Sequence, residues 1–263
     1  MKSRKTRARL VGGAAIAFLL FGVGGAILIV KARRFAPPEP TVARASSTPG
    51  DPFKVALVGD SWVAPKTLPN LIGIAGLEIR VAAHPGATSR DLLADLRGAS
   101  STAAAFCREP VGIIVVSAGI NDSGQRVGSD FYAYHMLQLT RHLIGCGKQA
   151  VVIEIPQYGA ERLPSVPMRS WLKRTVFVRA FPNGTPVIDS YRQAFRAALR
   201  SDGLTERVRL VNPDPEIPPF ETRPDLYSNP SHLNATGLLG FAKAIARGLH
   251  EAWSVGGIKP KPA

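Results

Sequence analysis

The sequence has few of the residues from which metal and nucleotide sites are built. Only two cysteines and five histidines occur among its 263 residues, and no group of Cys, His, Asp and Glu has the spacing of a metal site. The chain also lacks a glycine-rich phosphate-binding loop and an internal repeat. These absences argue against a metalloenzyme and a nucleotide-dependent enzyme, so we expect no metal and no organic cofactor.

Acidic residues are scarce as well. The chain has 19 Asp and Glu against 33 Lys and Arg, a formal net charge of +14. Residues 1–34 hold eight of the basic residues and no acid, which leaves +6 for the rest of the chain. A nucleic-acid surface needs basic residues interleaved with aromatics, or a recognised binding module. The sequence has neither, so we expect no nucleic-acid partner.

Charge is missing altogether from residues 10–30. At about 1.5 Å per residue, a helix of this length spans a bilayer core of about 30 Å. More basic residues precede the segment than follow it, which favours a cytoplasmic location for residues 1–9. We therefore predict a single-pass inner-membrane signal anchor with the bulk of the chain facing the periplasm. The alternative is a cleaved secretory signal, with Ala43-Arg44-Ala45 as the cleavage site.

Proline and serine dominate residues 31–52, which predicts a solvated linker, and residues 254–263 read as a flexible tail. Between them, residues 53–253 alternate strand-like and helical patterns. The predicted strands are Lys54–Val58, Glu78–Ala83, Val111–Ser117, Ala150–Ile155 and Arg207–Val211. The predicted helices are Ser89–Ala105, Ser129–Ile144, Met168–Phe181, Ser190–Ser201 and Leu233–Trp253. This alternation predicts an α/β domain, a three-layer α/β/α sandwich around a mainly parallel five-stranded sheet.

Four short motifs carry groups suited to acyl transfer. Gly59-Asp60-Ser61 ends the first predicted strand, Gly86 lies in a turn after the second, Gly119-Ile120-Asn121-Asp122 ends the third, and Ser231-His232 precedes the last helix. A serine nucleophile, a histidine base, a backbone N–H and an amide are the parts of serine-based acyl transfer. The first three motifs follow the carboxyl ends of predicted strands, the edge where α/β sheets bind ligands.

These motifs, in this order, resemble those of the SGNH (GDSL-type) hydrolase family over residues 53–253. The resemblance implies the family's flavodoxin-like fold and a bacterial, membrane-anchored ester hydrolase or acyltransferase. It further implies a nucleophile, Ser61, a base, His232, and an oxyanion hole formed by the N–H groups of Ser61 and Gly86 and the amide of Asn121. The expected partner is an O-acyl ester, most simply an O-acetyl ester of a cell-envelope or exported polysaccharide.

The last motif departs from the family pattern. Asn229 stands three residues before His232, where the family has an aspartate. An asparagine can orient the imidazole but brings no charge, and in the serine-protease template this change costs about 10⁴-fold in turnover. Three arrangements therefore stay open for the histidine: a Ser–His dyad, a backbone carbonyl as its partner, or another acid such as Asp225.

Two other functions stay open at this stage. A lipolytic esterase or thioesterase would use the same groups on a different ester. A non-catalytic envelope protein would use the cleft to bind glycan, and Asn229 keeps that reading open. The sequence does not indicate which oligomeric state the protein has.

Five further residues have roles that the sequence leaves structural or open. Asp60 and Asp122 are expected to cap their own turns rather than to serve as the triad acid. Trp62 either lines the acyl pocket or packs in the core. Cys107 and Cys146 each precede a predicted strand, so both lie at the edge of the sheet opposite the four motifs. They form either a disulfide, as an oxidising periplasm allows, or two buried free thiols.

Overall fold

The computed structural model describes residues 41–44, 53–98, 101–159 and 188–256. The predicted membrane segment 10–30, the predicted helix Met168–Phe181 and residues 257–263 of the predicted tail lie outside these ranges. Within the described ranges, no helix is both long enough and apolar enough to cross a membrane.

The described residues form a chain of alternating strands and helices. The strands are β1 Thr41–Arg44, β2 Phe53–Gly59, β3 Leu77–Ala83, β4 Ile113–Ser117, β5 Gln149–Ile153, β6 Val208–Val211, β7 Tyr227–Asn229 and β8 His232–Leu233. The helices are α1 Leu68–Ile72, α2 Ser89–Arg97, α3 Thr102–Arg108, α4 Ile120–Gly124, α5 Ser129–Gly145, α6 Ile188–Ser201 and α7 Ala235–Gly256.

One sheet organises the domain, with strand order β1-β3-β2-β4-β5-β6. Strands β2 to β6 are all parallel to one another, which confirms the predicted parallel five-stranded sheet. Their order is that of flavodoxin-like folds, whose switch point falls between the first strand and the third, here β2 and β4. Helices α2, α5 and α6 pack together on one face, and α7 packs with α1 and against β5 and β6 on the other.

The centre of the sheet is apolar because helices cover both of its faces. Every residue of β4 is buried, and so are four of the five residues of β5. Strands buried on both sides read as continuous apolar runs, which is why the sequence located them correctly. One face of α7 is apolar and packs against the sheet: Phe241, Ala242, Ile245 and Leu249 are fully buried, and Leu238 is half-buried.

Three boundaries differ from the sequence prediction. Thr41–Arg44, inside the predicted linker, pairs antiparallel with β3 as a sixth strand; its two β-branched residues suit a strand. The single helix predicted over Ser89–Ala105 is two helices, because α2 ends at Gly98 and Ser101 caps the start of α3. Helix α7 continues to Gly256, into the segment predicted as tail.

A disulfide joins Cys107, near the end of α3, to Cys146, directly after α5. The two Cα atoms lie 5.4 Å apart. Of the two alternatives left by the sequence, the structure has the bridge and not the free thiols. The bridge lies where α3 and α5 lead into β4 and β5, at the edge opposite the carboxyl ends of the strands.

Candidate active site

Ser61 lies at the tip of a tight turn that begins where β2 ends. A Cβ atom on Gly59 would lie 2.4 Å from the carbonyl oxygen of Ser117 in β4, so only glycine lets the two strands run this close. The Asp60 N–H donates to that same Ser117 carbonyl over 3.3 Å, and the Val63 N–H donates to the Asp60 carbonyl over 3.3 Å. The sheet and its first turn thus fix the backbone on both sides of Ser61.

Asp60 is fully buried beside Ser61. Its Oδ1 accepts a hydrogen bond of 3.0 Å from the Trp62 N–H, which is the turn-capping contact expected from the sequence. Its Oδ2 has no hydrogen-bond partner among the described residues. Burial raises the pKa of this carboxyl to about 7, against the opposing effect of the Trp62 N–H. No hydrogen bond joins Asp60 to His232 within the described chain.

The turn that holds Gly86 is tied to the motif that holds Asn121. Gly86 has φ +84°, a left-handed conformation that favours glycine, and the Ala87 N–H closes the turn on the His84 carbonyl at 2.9 Å. The Asn121 Nδ2 donates to the Ala87 carbonyl over 3.0 Å. Gly119, which begins this motif, has φ +117°. A Cβ there would lie 2.4 Å from Ile155 Cδ1, so the chain can pass this close to Ile155 only with glycine.

Asp122 makes a second tie between the same two segments. Its carboxylate accepts hydrogen bonds from the Ser89 N–H at 2.8 Å and the Ser89 hydroxyl at 2.7 Å. Burial raises the pKa of Asp122, and the two Ser89 hydrogen bonds oppose that effect. The expectation that Asp122 caps its own loop was wrong: it holds the first residue of α2, 33 positions away. The side chains of Asn121 and Asp122 therefore both hold the segment that contains the Gly86 turn and the start of α2.

His232 lies across from Ser61 at the start of β8. Its Nε2 is 3.2 Å from Ser61 Oγ, and its Nδ1 is 3.1 Å from Asn229 Oδ1. Nδ1 is also 3.0 Å from Ser231 Oγ. The structure thus brings together the serine and histidine singled out from the sequence, although 171 positions separate them.

The contacts of Asn229 determine which nitrogen of His232 carries the proton. Asn229 Oδ1 accepts from the Ser231 backbone N–H at 3.0 Å, and an N–H can only donate, so the oxygen of the amide must face it. That same oxygen faces His232 Nδ1, which must therefore bear the hydrogen. The lone pair of the neutral imidazole then lies on Nε2, opposite the Ser61 hydroxyl. This is the tautomer that a general base needs.

Asp225, the alternative acid, is engaged elsewhere. Both of its carboxylate oxygens accept hydrogen bonds from Arg223, at 2.8 and 2.7 Å. These bonds lower the pKa of the exposed carboxyl. Within the described residues, Asp225 makes no hydrogen bond to His232. The side chains that the structure places against Nδ1 are those of Asn229 and Ser231, and both are neutral.

Two contacts of this site were not anticipated from the sequence. Ser231 Oγ is a second neutral group at Nδ1, and it is also 3.0 Å from Asn229 Oδ1. Trp62 is buried in the core, with its indole N–H donating to the Ser231 carbonyl over 2.8 Å. Only its position next to Ser61 could have drawn attention to it, because its partner is 169 positions away.

The turns that follow β2, β3 and β4 carry the three hydrogen-bond donors expected from the sequence. Neither the Ser61 N–H nor the Gly86 N–H donates to another described residue. The Asn121 amide gives one of its two hydrogens to Ala87. The arrangement presents a hydroxyl, a basic nitrogen and up to three donors at one edge of the sheet, which suits attack on a carbonyl carbon.

Only one group of potential metal ligands occurs in the described part of the chain. Cys107, His142 and Cys146 have their ligand atoms within 4.8 Å of one another. The disulfide engages both sulfurs, so this group offers one imidazole rather than a set of ligands.

The sequence matches the profile of the GDSL-like Lipase/Acylhydrolase family over residues 57–238. The match includes the Ser61, Gly86, Asn121 and His232 motifs. No curated protein sequence matches the chain significantly.

Several solved structures are similar in fold. A GDSL-like lipase from Bacteroides thetaiotaomicron is 16% identical, with a TM-score of 0.53 over 80% of this chain and 93% of the other. A lipase/acylhydrolase from Enterococcus faecalis is 17% identical, with a TM-score of 0.54 over 80% and 99%. A catalytic mutant of an acetylxylan esterase from Geobacillus stearothermophilus is 17% identical, with a TM-score of 0.52 over 76% and 95%. At these identities the similarity establishes the fold.

Proposed function

Because the chain belongs to the GDSL-like lipase/acylhydrolase family, we propose that it is a serine ester hydrolase with Ser61 as nucleophile and His232 as general base. The observation that carries this proposal is the contact of 3.2 Å between His232 Nε2 and Ser61 Oγ, with Asn229 Oδ1 facing the other ring nitrogen at 3.1 Å. A degenerate site that only binds glycan has no need of this alignment.

The first half of the reaction forms an acyl-enzyme. Ser61 Oγ attacks the ester carbonyl carbon while its proton passes to His232 Nε2. The carbonyl oxygen becomes an oxyanion, which the N–H groups of Ser61 and Gly86 and the second amide hydrogen of Asn121 stabilise. The intermediate then collapses, the bond to the alcohol oxygen breaks, and that oxygen takes the proton from His232 Nε2. The alcohol leaves, and Ser61 remains acylated.

The second half repeats these steps with water. A water molecule gives a proton to His232 Nε2 as its oxygen attacks the acyl carbon. The same donors hold the second oxyanion. Collapse breaks the bond to Ser61 Oγ, which recovers its proton from His232, and the carboxylic acid departs.

The imidazolium formed in each half has no carboxylate beside it in this proposal. Asn229 Oδ1 and Ser231 Oγ keep Nδ1–H oriented, at 3.1 and 3.0 Å, but neither carries a charge. Charge near a developing charge is a large catalytic contribution. We therefore expect a working but slow Ser–His dyad.

We further propose that the substrate is an O-acyl ester of a carbohydrate, specifically an O-acetyl ester of a cell-envelope or exported polysaccharide. We place the enzyme at the inner membrane, held by residues 10–30, with the catalytic domain in the periplasm. The uncharged segment supports the anchor, and the Cys107–Cys146 disulfide fits an oxidising compartment. The acetylxylan esterase of the same fold makes this ester class a reasonable one to test first.

The function is tested by covalent labelling and by hydrolysis. A fluorophosphonate probe reacts only with an activated serine, so it should label the wild type and leave Ser61→Ala unlabelled. The purified protein should also release acetate from an acetylated oligosaccharide, and faster than it hydrolyses a long-chain ester or a thioester. Absence of labelling in a folded wild type would contradict the proposal. Appearance of the acyl group on an added sugar would identify a transferase.

The location is tested with reporters fused after Ala263. Alkaline phosphatase, which is active only outside the cytoplasm, should be active, and the full-length chain should stay in the membrane fraction. If the fusion has no phosphatase activity, the proposed orientation is wrong. Recovery of a mature chain that begins near Ser46 would show that the segment is a cleaved signal and not an anchor.

A further inference from the structure

We infer that Trp62 is a positioning residue that keeps His232 Nε2 within hydrogen-bond distance of Ser61 Oγ. The inference rests on the proposed function, because it concerns how the two reacting side chains keep their distance. Trp62 directly follows Ser61, and its indole Nε1–H donates a hydrogen bond of 2.8 Å to the carbonyl of Ser231, which directly precedes His232. One rigid side chain therefore connects the neighbour of the nucleophile to the neighbour of the base.

The Trp62 end of this connection is fixed. The side chain is 3% exposed, and its ring packs edge-on against Tyr227 and Phe241, with centroids 6.5 and 5.4 Å away. Its backbone N–H is held by Asp60 Oδ1 at 3.0 Å. Phe241 lies on α7 and Asp60 in the nucleophile turn, so these two contacts hold the indole independently of the β7–β8 hairpin.

The Ser231 end lies in a segment with little support of its own. Strands β7 and β8 have three residues and two residues, their register is irregular, and Asn229 and His232 are exposed. The contacts of Asn229 with Ser231 and His232 stay within the loop. A second tie to the rest of the domain is the Gly159 N–H, which donates to the Pro230 carbonyl over 2.9 Å. Besides the contact of His232 with Ser61, the indole bond is the hydrogen bond among the described residues that connects this loop to the nucleophile turn.

Loss of the indole N–H should therefore act on the chemical step. Misplacement of a reacting group by about 1 Å can cost about 100-fold in rate, so we expect Trp62→Phe to lower kcat about 10-fold to 100-fold. KM should change less than about twofold, because the substrate-binding groups stay in place. The rate of fluorophosphonate labelling should fall in parallel with kcat, since labelling needs the same Ser61–His232 alignment.

The chain offers a matched control in Trp253. This tryptophan is also 3% exposed and packs edge-on against Phe53, at the opposite edge of the sheet, and against His250. Its Nε1 has no hydrogen-bond partner among the described residues. Trp253→Phe therefore removes the same atoms from an equally buried ring without breaking such a bond, and we expect kcat and labelling to stay within about twofold of wild type.

A second variant separates the hydrogen bond from packing. Benzothienylalanine at position 62, introduced by amber suppression, keeps the shape of the ring but replaces the N–H with sulfur. It should reproduce the fall in kcat that Trp62→Phe causes, even if the phenylalanine variant folds poorly. A wild-type rate with benzothienylalanine, or an equal fall in Trp62→Phe and Trp253→Phe, would overturn the inference.

Hydrogen–deuterium exchange makes the test independent of catalysis. The amides of Asn229 and of residues 231–233 should exchange faster in the benzothienylalanine protein than in wild type or Trp253→Phe. Unchanged exchange there contradicts the tie, whatever the activity. If the wild type itself neither hydrolyses esters nor reacts with the probe, the proposed function fails while the exchange result still decides the role of Trp62.

Discussion

The two halves of the candidate site are held in different ways. On the nucleophile side, Asp60, Ser89 and Asp122 are fully buried, and backbone and side-chain hydrogen bonds connect the ends of β2, β3 and β4. On the histidine side, Asn229 and His232 are exposed on a short irregular hairpin. A parallel sheet fixes what lies directly at its carboxyl edge, whereas a group delivered by a later loop depends on individual side-chain contacts.

Because of this difference, we expect substitutions on the two sides to affect different properties, stability on one side and turnover on the other. Substitution of a fully buried residue on the nucleophile side, such as Asp60 or Asp122, perturbs the core and should appear in the free energy of unfolding, whereas Ser61 itself is only half-buried. A substitution on the histidine side touches few packed atoms, so it should appear mainly in turnover. The following three predictions separate these effects, beginning with the largest expected change in turnover.

Ser61→Ala and His232→Ala should each lower ester hydrolysis by about 10⁴-fold or more. The double variant should be no slower than either single one, because the two residues act as one unit. Both proteins should unfold within about 0.5 kcal/mol of wild type, since neither side chain is buried in the core. Steady-state kinetics and urea unfolding measure the two quantities. Losses that multiply in the double variant would mean that the residues act separately.

Asn229→Asp should raise turnover about 10-fold to 100-fold, because it places a charge beside the imidazolium that His232 becomes. Asp225→Asn is the matched control. It should change turnover less than about twofold, because Asp225 is hydrogen-bonded to Arg223 rather than to His232. A collapse of turnover in Asp225→Asn, with no gain in Asn229→Asp, would instead make Asp225 the working acid.

Asp60→Asn should have the smallest effect on turnover, a fall of less than about tenfold, because its Oδ1 can still accept from the Trp62 N–H. Its effect should appear in how stability depends on pH. The Asp60 carboxyl loses its proton near pH 3.8 when exposed but near pH 7 in the fold. Between those values the folded state holds the extra proton, so the free energy of unfolding falls as the pH rises.

The asparagine variant lacks this proton and should lose less stability between about pH 4 and pH 7 than the wild type does. The difference should amount to roughly 2 to 4 kcal/mol. Urea unfolding at a series of pH values measures it. Asp122, whose pKa is also raised, is present in both proteins, so the difference between them isolates Asp60. Parallel curves would show that Asp60 is already ionised in the fold at low pH.

The sequence predicted best what is local and apolar. Strands β4 and β5 were located because a strand covered on both faces must be a continuous apolar run, and Ser61 and Asn121 were recognised because they end such runs. Strand β1 was missed because the prolines around it read as a linker, while its pairing depends on β3, far along the chain. The break between α2 and α3 was missed although Gly98 stands at it.

Contacts between distant segments were the part that could not be predicted. Asp122 was expected to cap its own loop, since nothing in its neighbourhood points to Ser89. The tie from Trp62 to Ser231 depends on where β2 and the β7–β8 hairpin meet in space. The choice of Asn229 over Asp225 at His232 required the Arg223 contact, which only the structure reveals.

Strand β1 has a practical consequence for work with a shortened chain of this protein. Its antiparallel pairing covers the outer backbone groups of β3, which would otherwise be a row of unpaired N–H and C=O groups. A chain shortened to begin at Phe53 would keep every candidate active-site residue. It would also leave the edge of β3 unpaired, so that the edge could pair with a strand of a second copy. A chain that begins before Thr41 keeps the edge closed, and the two should differ in aggregation during refolding while sharing the same kcat.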